Sequence, residues 1–294
     1  MRFARLQSGP FCRLPLAGLA ILGFSLGGVA SATIVRFETV LGNIDVRLYD
    51  MKTPLTTQNF MNYVDDGDFN DTFFHRSVPG FVVQGGGFKF TDAGGVSNVP
   101  QDPAVMNEFG ISNLRGTIAM AKLGSGPNTA TNQWFFNLAN NAANLDNQNG
   151  GFTVFGRVVG TGMTVVDAIA ALPRVNAGSP FDTLPVRNYV SGNPIKDENL
   201  ANITRIIERT LAPGDYNFDG VVNNADYLVW KNSFGSTTAA EADGNGDGVV
   251  NAADYTVWRD AMAAAGQALT VPEPTSAAIV AVAMLGVGFR RRHG

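Results

Sequence analysis

Apolar and polar residues alternate from Thr33 to Tyr49, and Leu41-Gly42-Asn43 interrupts the alternation with turn residues. A period of two turns one side of each run toward a core, so this stretch predicts a β-hairpin. The period changes at Thr53-Pro54. A cap residue followed by proline at the first helical position predicts a helix start, with Phe60, Met61 and Val64 on one face and Gly67 at its end. Short apolar runs return at Phe73–His75 and Phe81–Gln84, on either side of the turn Val78-Pro79-Gly80. Further strands are expected at Gly116–Ala121, Gln133–Leu138 and Phe152–Val159, a second helix at Met163–Leu172, and a last strand at Ile203–Arg209. Many strands, two helices and 34 Gly predict a mainly β domain, a closed barrel capped by the two helices.

The pattern breaks at Ala212-Pro213-Gly214, and a tandem repeat follows. Asp215-Tyr-Asn-Phe-Asp-Gly-Val-Val-Asn-Asn-Ala-Asp226 returns 28 residues later as Asp243-Gly-Asn-Gly-Asp-Gly-Val-Val-Asn-Ala-Ala-Asp254. Val-Trp follows both copies, at Val229-Trp230 and Val257-Trp258. Oxygen donors fall at loop positions 1, 3, 5, 9 and 12, with Gly at position 6 and a backbone carbonyl due at position 7. That spacing predicts two calcium loops. The first would use Asp215, Asn217, Asp219, Val221, Asn223 and Asp226. The second would use Asp243, Asn245, Asp247, Val249, Asn251 and Asp254. Few apolar residues remain for a core here: Val221, Val222, Leu228, Trp230, Val249, Val250, Trp258 and Met262.

The two ends differ from the rest. Arg2, Arg5 and Arg13 precede an apolar run from Leu14 to Ala30, and Ala30-Ser31-Ala32 closes it. This is the three-part pattern of a secretory signal peptide cleaved after Ala32, with an uncleaved anchor as the alternative. The only Cys, Cys12, lies in that segment, so the mature chain would carry none. At the other end, Val271-Pro272-Glu273-Pro274 leads into an apolar run, Thr275–Phe289, and then Arg290-Arg291-Arg292. The run is short for a stable bilayer span. The expected organisation is therefore 1–32 signal peptide, 33–211 β domain, 212–266 calcium module and 267–294 tail. The chain is expected to be exported, to the periplasm, the cell surface or the medium.

Charge excludes some functions. The net charge is −4 and the folded segments carry no basic run, which argues against a nucleic-acid partner. His75 and His293 are the only histidines, and no GxSxG context supports a Ser-His-Asp triad on His75. Gly85-Gly86-Gly87 lacks the GK[ST] of a phosphate loop.

What remains is Phe73–Gly87, FFHRSVPGFVVQGGG, where aromatics, one Arg, one Pro, one Gln and three Gly lie within fifteen residues. An X-Pro substrate needs a flat apolar slot for its ring and a few polar groups for the flanking carbonyls. Rotation about its amide bond is slow because of resonance. A fixed guanidinium favours the twisted amide, in which the proline nitrogen regains its lone pair. Arg76 beside Phe81 offers both parts, and Arg keeps its charge and its planar fork.

The same stretch resembles the signature of the cyclophilins, peptidyl-prolyl cis-trans isomerases on a closed eight-stranded β-barrel with two capping helices. Further motifs occur in the family's order: Gly116-Thr-Ile-Ala-Met-Ala121, Gln133-Trp-Phe-Phe-Asn-Leu138, Leu145-Asp146 and Phe152-Thr-Val-Phe-Gly-Arg157. The resemblance implies Arg76, Gln84 and Phe81 as catalytic residues. Substrate would be bound by Ala121, the backbone of Lys122, Gln133, Phe135, Leu145 and Phe152. It implies proline-containing polypeptides as substrates and no catalytic cofactor. Asn144 stands where eukaryotic members carry Trp, which implies weak binding of cyclosporin. A non-catalytic peptide-binding or scaffold role through the same groove is the alternative reading. The calcium module, with Asp rather than Glu at position 12, resembles a dockerin type I domain. A cohesin-like partner and a simple calcium-stabilised spacer both stand open for it. The tail resembles a PEP-CTERM sorting signal, which implies transient membrane contact, with a plain anchor as the alternative.

Overall fold

The computed structural model describes residues 33–237 and 240–266. The expected signal peptide and sorting tail lie outside them. Among the described residues thirteen strands are formed: β1 Ile34–Thr39, β2 Gly42–Leu48, β3 Thr72–Phe73, β4 Arg76–Val78, β5 Val82–Gly85, β6 Phe88–Thr91, β7 Gly95–Asn98, β8 Thr117–Met120, β9 Trp134–Asn137, β10 Val154–Val159, β11 Arg174–Val175, β12 Leu184–Pro185 and β13 Asn202–Glu208. The helices are α1 Pro54–Asp65, α2 Ala142–Leu145, α3 Gly162–Ala170, α4 Asn224–Ser233 and α5 Ala252–Ala264. Among the described residues no helix is long and apolar enough to cross a membrane.

The expected strands all appear, with shifted ends, and the β domain is mainly β as predicted. The closed eight-stranded barrel is corrected. Hydrogen bonds join eleven strands in the open order β4-β5-β9-β8-β10-β2-β1-β13-β3-β6-β7. The reason lies at Phe74 and His75. β3 and β4 are two halves of one extended stretch, and it changes partners between them: β3 pairs with β13, and β4 pairs with β5. Continuity around the sheet passes through the covalent chain there, not through a ladder.

Aromatic rings fill the interior. Phe37, Phe60, Phe69, Phe74, Trp134, Phe136 and Phe155 are all fully buried. Trp134 meets Phe37 edge-on at 5.0 Å and Phe136 at 5.4 Å, a favoured geometry for aromatic pairs. Helix α1 enters this core through Phe60, 5.1 Å from Phe155. Its Pro54 start is as expected, although Thr53 spends its hydroxyl on the carbonyl of Tyr49 and not on capping. Helix α3 buries Val166 and Ile169.

The repeat module forms one helix per loop. Asn223 and Asn251 cap α4 and α5 with the same bonds, to the N–H of Ala225 and Ala253. The two halves lock reciprocally: Trp230 Nε1 donates to the carbonyl of Asn251, and Trp258 Nε1 donates to that of Asn223, both at 2.8 Å. The module core is Tyr216, Val222, Ala242, Val250, Trp258 and Met262. Three residues expected in it are exposed instead: Val221, Leu228 and Val249. Val221 and Val249 hold loop position 7, where the backbone must face inward and the side chain therefore turns out.

Candidate active site

The turn Val78-Pro79-Gly80 returns the chain from β4 to β5, with Gly80 at φ +70° and the Phe81 N–H donating to the Val78 carbonyl. Proline followed by a glycine of positive φ suits a type II turn. The return pairs Arg76 with Gln84, and the next ladder pairs Gln84 with Phe135. Arg76 Nη1 donates to Gln84 Oε1 at 3.4 Å, and Gln84 Nε2 donates to Gln133 Oε1 at 2.8 Å.

These groups face a pocket of about 350 Å³ lined by Arg76, Phe81, Val82, Gln84, Ala121, Lys122, Phe135, Asn144, Leu145, Gln148 and Phe152. Its floor is an apolar cluster in which Val82, Ala119, Phe135, Leu145 and Val154 are buried, with Phe81, Ala121 and Phe152 half-buried around it. Phe152 stands edge-on to Phe135 at 5.8 Å. A second recess adjoins, lined by Gln84, Gln101, Ala121, Lys122, Leu123, Thr129, Thr131 and Gln133. All nine residues expected at the site from sequence thus line one or both of these recesses.

The three Gly after Gln84 are fixed by what packs against them. A Cβ at Gly85 would lie 2.8 Å from the Trp134 ring, one at Gly86 2.5 Å from the Asn132 carbonyl, and one at Gly87 2.8 Å from Gln133 Nε2. Their bareness lets the backbone approach Trp134 and leaves Gln133 in line with Gln84.

An amide network holds the opposite wall. Asn141 Nδ2 donates to the carbonyl of Phe81 and to Asn137 Oδ1. Asn137 donates to Asn113 Oδ1, and Asn113 donates to Asp146 Oδ1 and the Phe152 carbonyl. Phe81 and Phe152 are thereby held through their carbonyls, and the Leu145 N–H donates to the Asn141 carbonyl. Asn141 precedes the short helix α2, which was not expected from the sequence. Gln148 is a lining residue that the sequence reading missed; it donates to Asn144 Oδ1 across the pocket mouth.

Two side chains at the site have surroundings that the sequence did not specify, Lys122 and His75. Lys122 was expected to act through its backbone, but its ammonium also donates to the carbonyls of Asn149 and Gly151 and sits 4.8 Å over the Phe152 ring. Burial pushes its pKa down. His75 is buried edge-on to Phe88 at 4.8 Å. Burial, and then the neighbouring Arg76 charge, bring its pKa down to about 4, so it is neutral at physiological pH.

Residues 34–190 match the family model of the cyclophilin type peptidyl-prolyl cis-trans isomerases. The chain belongs to the cyclophilins. Relatives bear this out. The peptidyl-prolyl cis-trans isomerase of Acinetobacter baylyi is 41% identical over 164 residues, 55% of this chain and 83% of that protein. The isomerase A of Dickeya dadantii is 41% identical over 177 residues, 58% and 89% of the two chains. The isomerase B of Escherichia coli is 38% identical over 155 residues, 51% and 91%. A Cryptosporidium parvum cyclophilin structure covers 61% of this chain and 98% of its own at 20% identity, with a TM-score of 0.45. The chain is thus a cyclophilin-type peptidyl-prolyl cis-trans isomerase. Residues 213–260 match the dockerin type I domain, so this cyclophilin carries a second, calcium-binding type of module.

In that module the expected ligands form two matching sets. Asp226 takes the N–H groups of Tyr216, Asn217 and Asn223, and Asp254 takes those of Asn245 and Asn251. Asp215 accepts from the Gly220 N–H, and Asp243 from that of Gly248. Among the described residues no three His, Cys, Asp or Glu side chains stand together as a metal cluster. Each loop instead mixes three Asp with two Asn and a carbonyl. One oxygen in each loop is left over: Asp215 Oδ1 and Asp243 Oδ1 are buried without a hydrogen-bond partner. A buried carboxylate oxygen in that state is costly unless a cation meets it. Both orphans occupy loop position 1, so the residues fit calcium.

Proposed function

We propose that this cyclophilin isomerises X-Pro bonds of exported or surface proteins, with Arg76, Gln84 and Phe81 as its catalytic residues. The observation that carries the reading is the Arg76–Gln84 pair standing over the apolar floor of Phe135 and Leu145. The proline ring enters the slot between Phe81, Phe135, Leu145 and Phe152. Gln133, Ala121 and the Lys122 backbone take the flanking main chain. The Arg76 guanidinium then donates toward the prolyl nitrogen as the amide twists, and Gln84 holds it in line. Such a donor acts in the transition state and not in the planar ground state, so it raises kcat. No proton is transferred, which suits a neutral His75. A protease-coupled or NMR exchange assay of the full chain on an X-Pro peptide tests the reading.

The remaining assignments rest on sequence. Residues 1–32 are read as a cleaved signal peptide, 33–211 as the isomerase domain, 212–266 as the dockerin-like module and 267–294 as a PEP-CTERM-like sorting tail that touches the membrane in transit. Bound calcium would supply the positive charge that draws the oxygens of each loop together. Asp215, Asn217, Asp219, Val221, Asn223 and Asp226 would hold one ion, and Asp243, Asn245, Asp247, Val249, Asn251 and Asp254 the other. An apolar face beside Val221, Val222, Ala253, Val257 and Ala261 is the surface on which a cohesin-like protein would dock. Intact-mass analysis of chain recovered from the native host tests the ends: loss of residues 1–32 and of the segment after about Val271 is expected, and a membrane-bound chain ending at Gly294 would favour the plain anchor.

A further inference from the structure

The charge around the pocket is one-sided. Among the residues that line the proline slot and the recess beside it, Arg76 and Lys122 are charged and none is acidic. The carboxylates nearby are engaged elsewhere: Asp146 accepts from Asn113 behind the wall, and Glu108 accepts from the first turn of α1. Lys122 lines both recesses, so it stands where a substrate passes from one to the other. An ammonium has three donors. Two of them go to the carbonyls of Asn149 and Gly151, and the Phe152 ring lies 4.8 Å away. All of these partners are neutral, and no carboxylate among the described residues forms a salt bridge with Lys122. Carbonyl dipoles and a ring face favour the charged form without cancelling its charge. The clasp is held from the other side as well, since Asn149 Nδ2 donates to the carbonyls of Leu123 and Gly126. The ammonium is thus fixed at the groove, on a half-buried side chain, with one donor left over.

We infer that Lys122 gives the isomerase a preference for X-Pro segments that carry an acidic side chain within two residues of the proline. The inference rests on the reading of this pocket as the isomerase site. With the proline ring in the slot and the flanking main chain along Gln133, Ala121 and the Lys122 backbone, an extended substrate advances about 3.3 Å per residue. A side chain next to the proline therefore passes within reach of the unused donor of Lys122. A carboxylate there gains a charge-assisted hydrogen bond and supplies the counter-ion that the groove lacks. A cleft lined by one sign of charge concentrates its field, and such charges decide between partners more than they add affinity. A substrate lysine in the same place meets two like charges, Arg76 and Lys122, and is disfavoured. The carboxylate touches no reacting atom. It is bound alike in the planar and the twisted amide, so the preference lies in KM, with kcat little changed.

The test is isomerisation by the full chain, followed by NMR exchange, on peptides that differ in one residue. Glu, Gln or Lys is placed in turn at each of the two positions before the proline and the two after it. At one position or more, Glu is expected to exceed Gln by about twofold to fivefold in kcat/KM, the range of a partly solvated ion pair, with Lys below Gln. In wild type the difference should vanish in 1 M sodium chloride, where the screening length is about 3 Å. Lys122→Gln should remove the preference for Glu, Lys122→Glu should reverse it, and Lys122→Arg should keep it. The quantity read is a ratio between peptides, so a general loss of activity from a loosened Phe152 cancels. The salt dependence of wild type carries the test even if a variant does not fold. Equal rates for Glu and Gln at all four positions overturn the inference. A preference that persists in high salt, or in folded Lys122→Gln, overturns its assignment to the Lys122 charge. A wild-type chain that accelerates none of the peptides overturns the isomerase reading of the pocket and this inference with it.

Discussion

Arg76 and Gln84 are direct partners across the β4–β5 ladder, and the guanidinium reaches the amide oxygen at 3.4 Å. Their meeting is a matter of register. A one-residue slip of either strand would put the two side chains on opposite faces. Gln84 in turn is steadied by Gln133, whose room depends on the missing side chain of Gly87.

Gln84→Ala should leave Arg76 in place but free to swing. A hydrogen bond to a charged group is worth about 1.5–3 kcal/mol. The expected result is a fall in kcat of about tenfold, with thermal stability nearly unchanged because Gln84 is only half-buried. Gly87→Ala should act on the same row from behind, by displacing Gln133. Steady-state kinetics of the two variants check this.

Phe135→Ala should harm binding and stability together. The ring is 4% exposed and forms both the floor of the pocket and a junction of β9 with β8. Truncating a buried Phe costs about 3–5 kcal/mol. Denaturant melts should show that loss, and the folded fraction should show a raised KM. A variant as stable as wild type would mean that the ring is not packed as described.

Stability should fall with acid in a window set by His75. Its pKa in the fold is about 4, below its ordinary value of 6.5, so the unfolded chain binds the extra proton between these values. Stability from this group is therefore full above about pH 6.5, declines as pH drops toward 4, and changes no further below that. His75→Phe should flatten this part of the stability profile. Activity should not titrate with His75 between pH 6 and 8, since it exchanges no proton with substrate.

The module should need calcium to fold. Its buried core has six residues, and each loop buries a carboxylate oxygen without a partner. So small a core is marginal alone, and ion binding then contributes directly to folding. Chelator should abolish the circular dichroism of α4 and α5 and red-shift Trp230 and Trp258 fluorescence. Asp219→Ala with Asp247→Ala should do the same and leave isomerase activity in place.

Much of this was legible in the sequence, for identifiable reasons. The hairpin, α1 and the 28-residue repeat announce themselves through period, proline and glycine. Arg76 and Phe81 stand out because a flat proline slot and a fixed guanidinium demand few residue types, whereas Gln84, Ala121, Lys122, Gln133, Phe135, Leu145 and Phe152 are implied only by the resemblance to the cyclophilins. Other features depend on long-range contacts. The partner change at Phe74–His75 leaves no trace in a local pattern. Strands β6 and β7 and helix α2 lie in Gly- and Asn-rich stretches that read as loops, though Asn141, just before α2, joins Asn113 and Asn137 in the pocket wall. Alternation marks Arg47 as outward-facing but cannot say that another module will cover it. The side chain of Lys122, curled onto Asn149 and Gly151, is decided by a loop 27 residues away.

The central claim is that Arg76 stabilises the twisted amide. The most direct measurement is kcat/KM for X-Pro isomerisation by the full chain with Arg76→Ala and Arg76→Lys, each shown to be folded. Removal of one transition-state donor typically costs about 2.7–4 kcal/mol, or 10²–10³ in rate. The account predicts a loss of that size for Arg76→Ala, carried by kcat, with only partial recovery in Arg76→Lys because the ammonium lacks the planar fork. A folded Arg76→Ala protein that isomerises at the wild-type rate would contradict it.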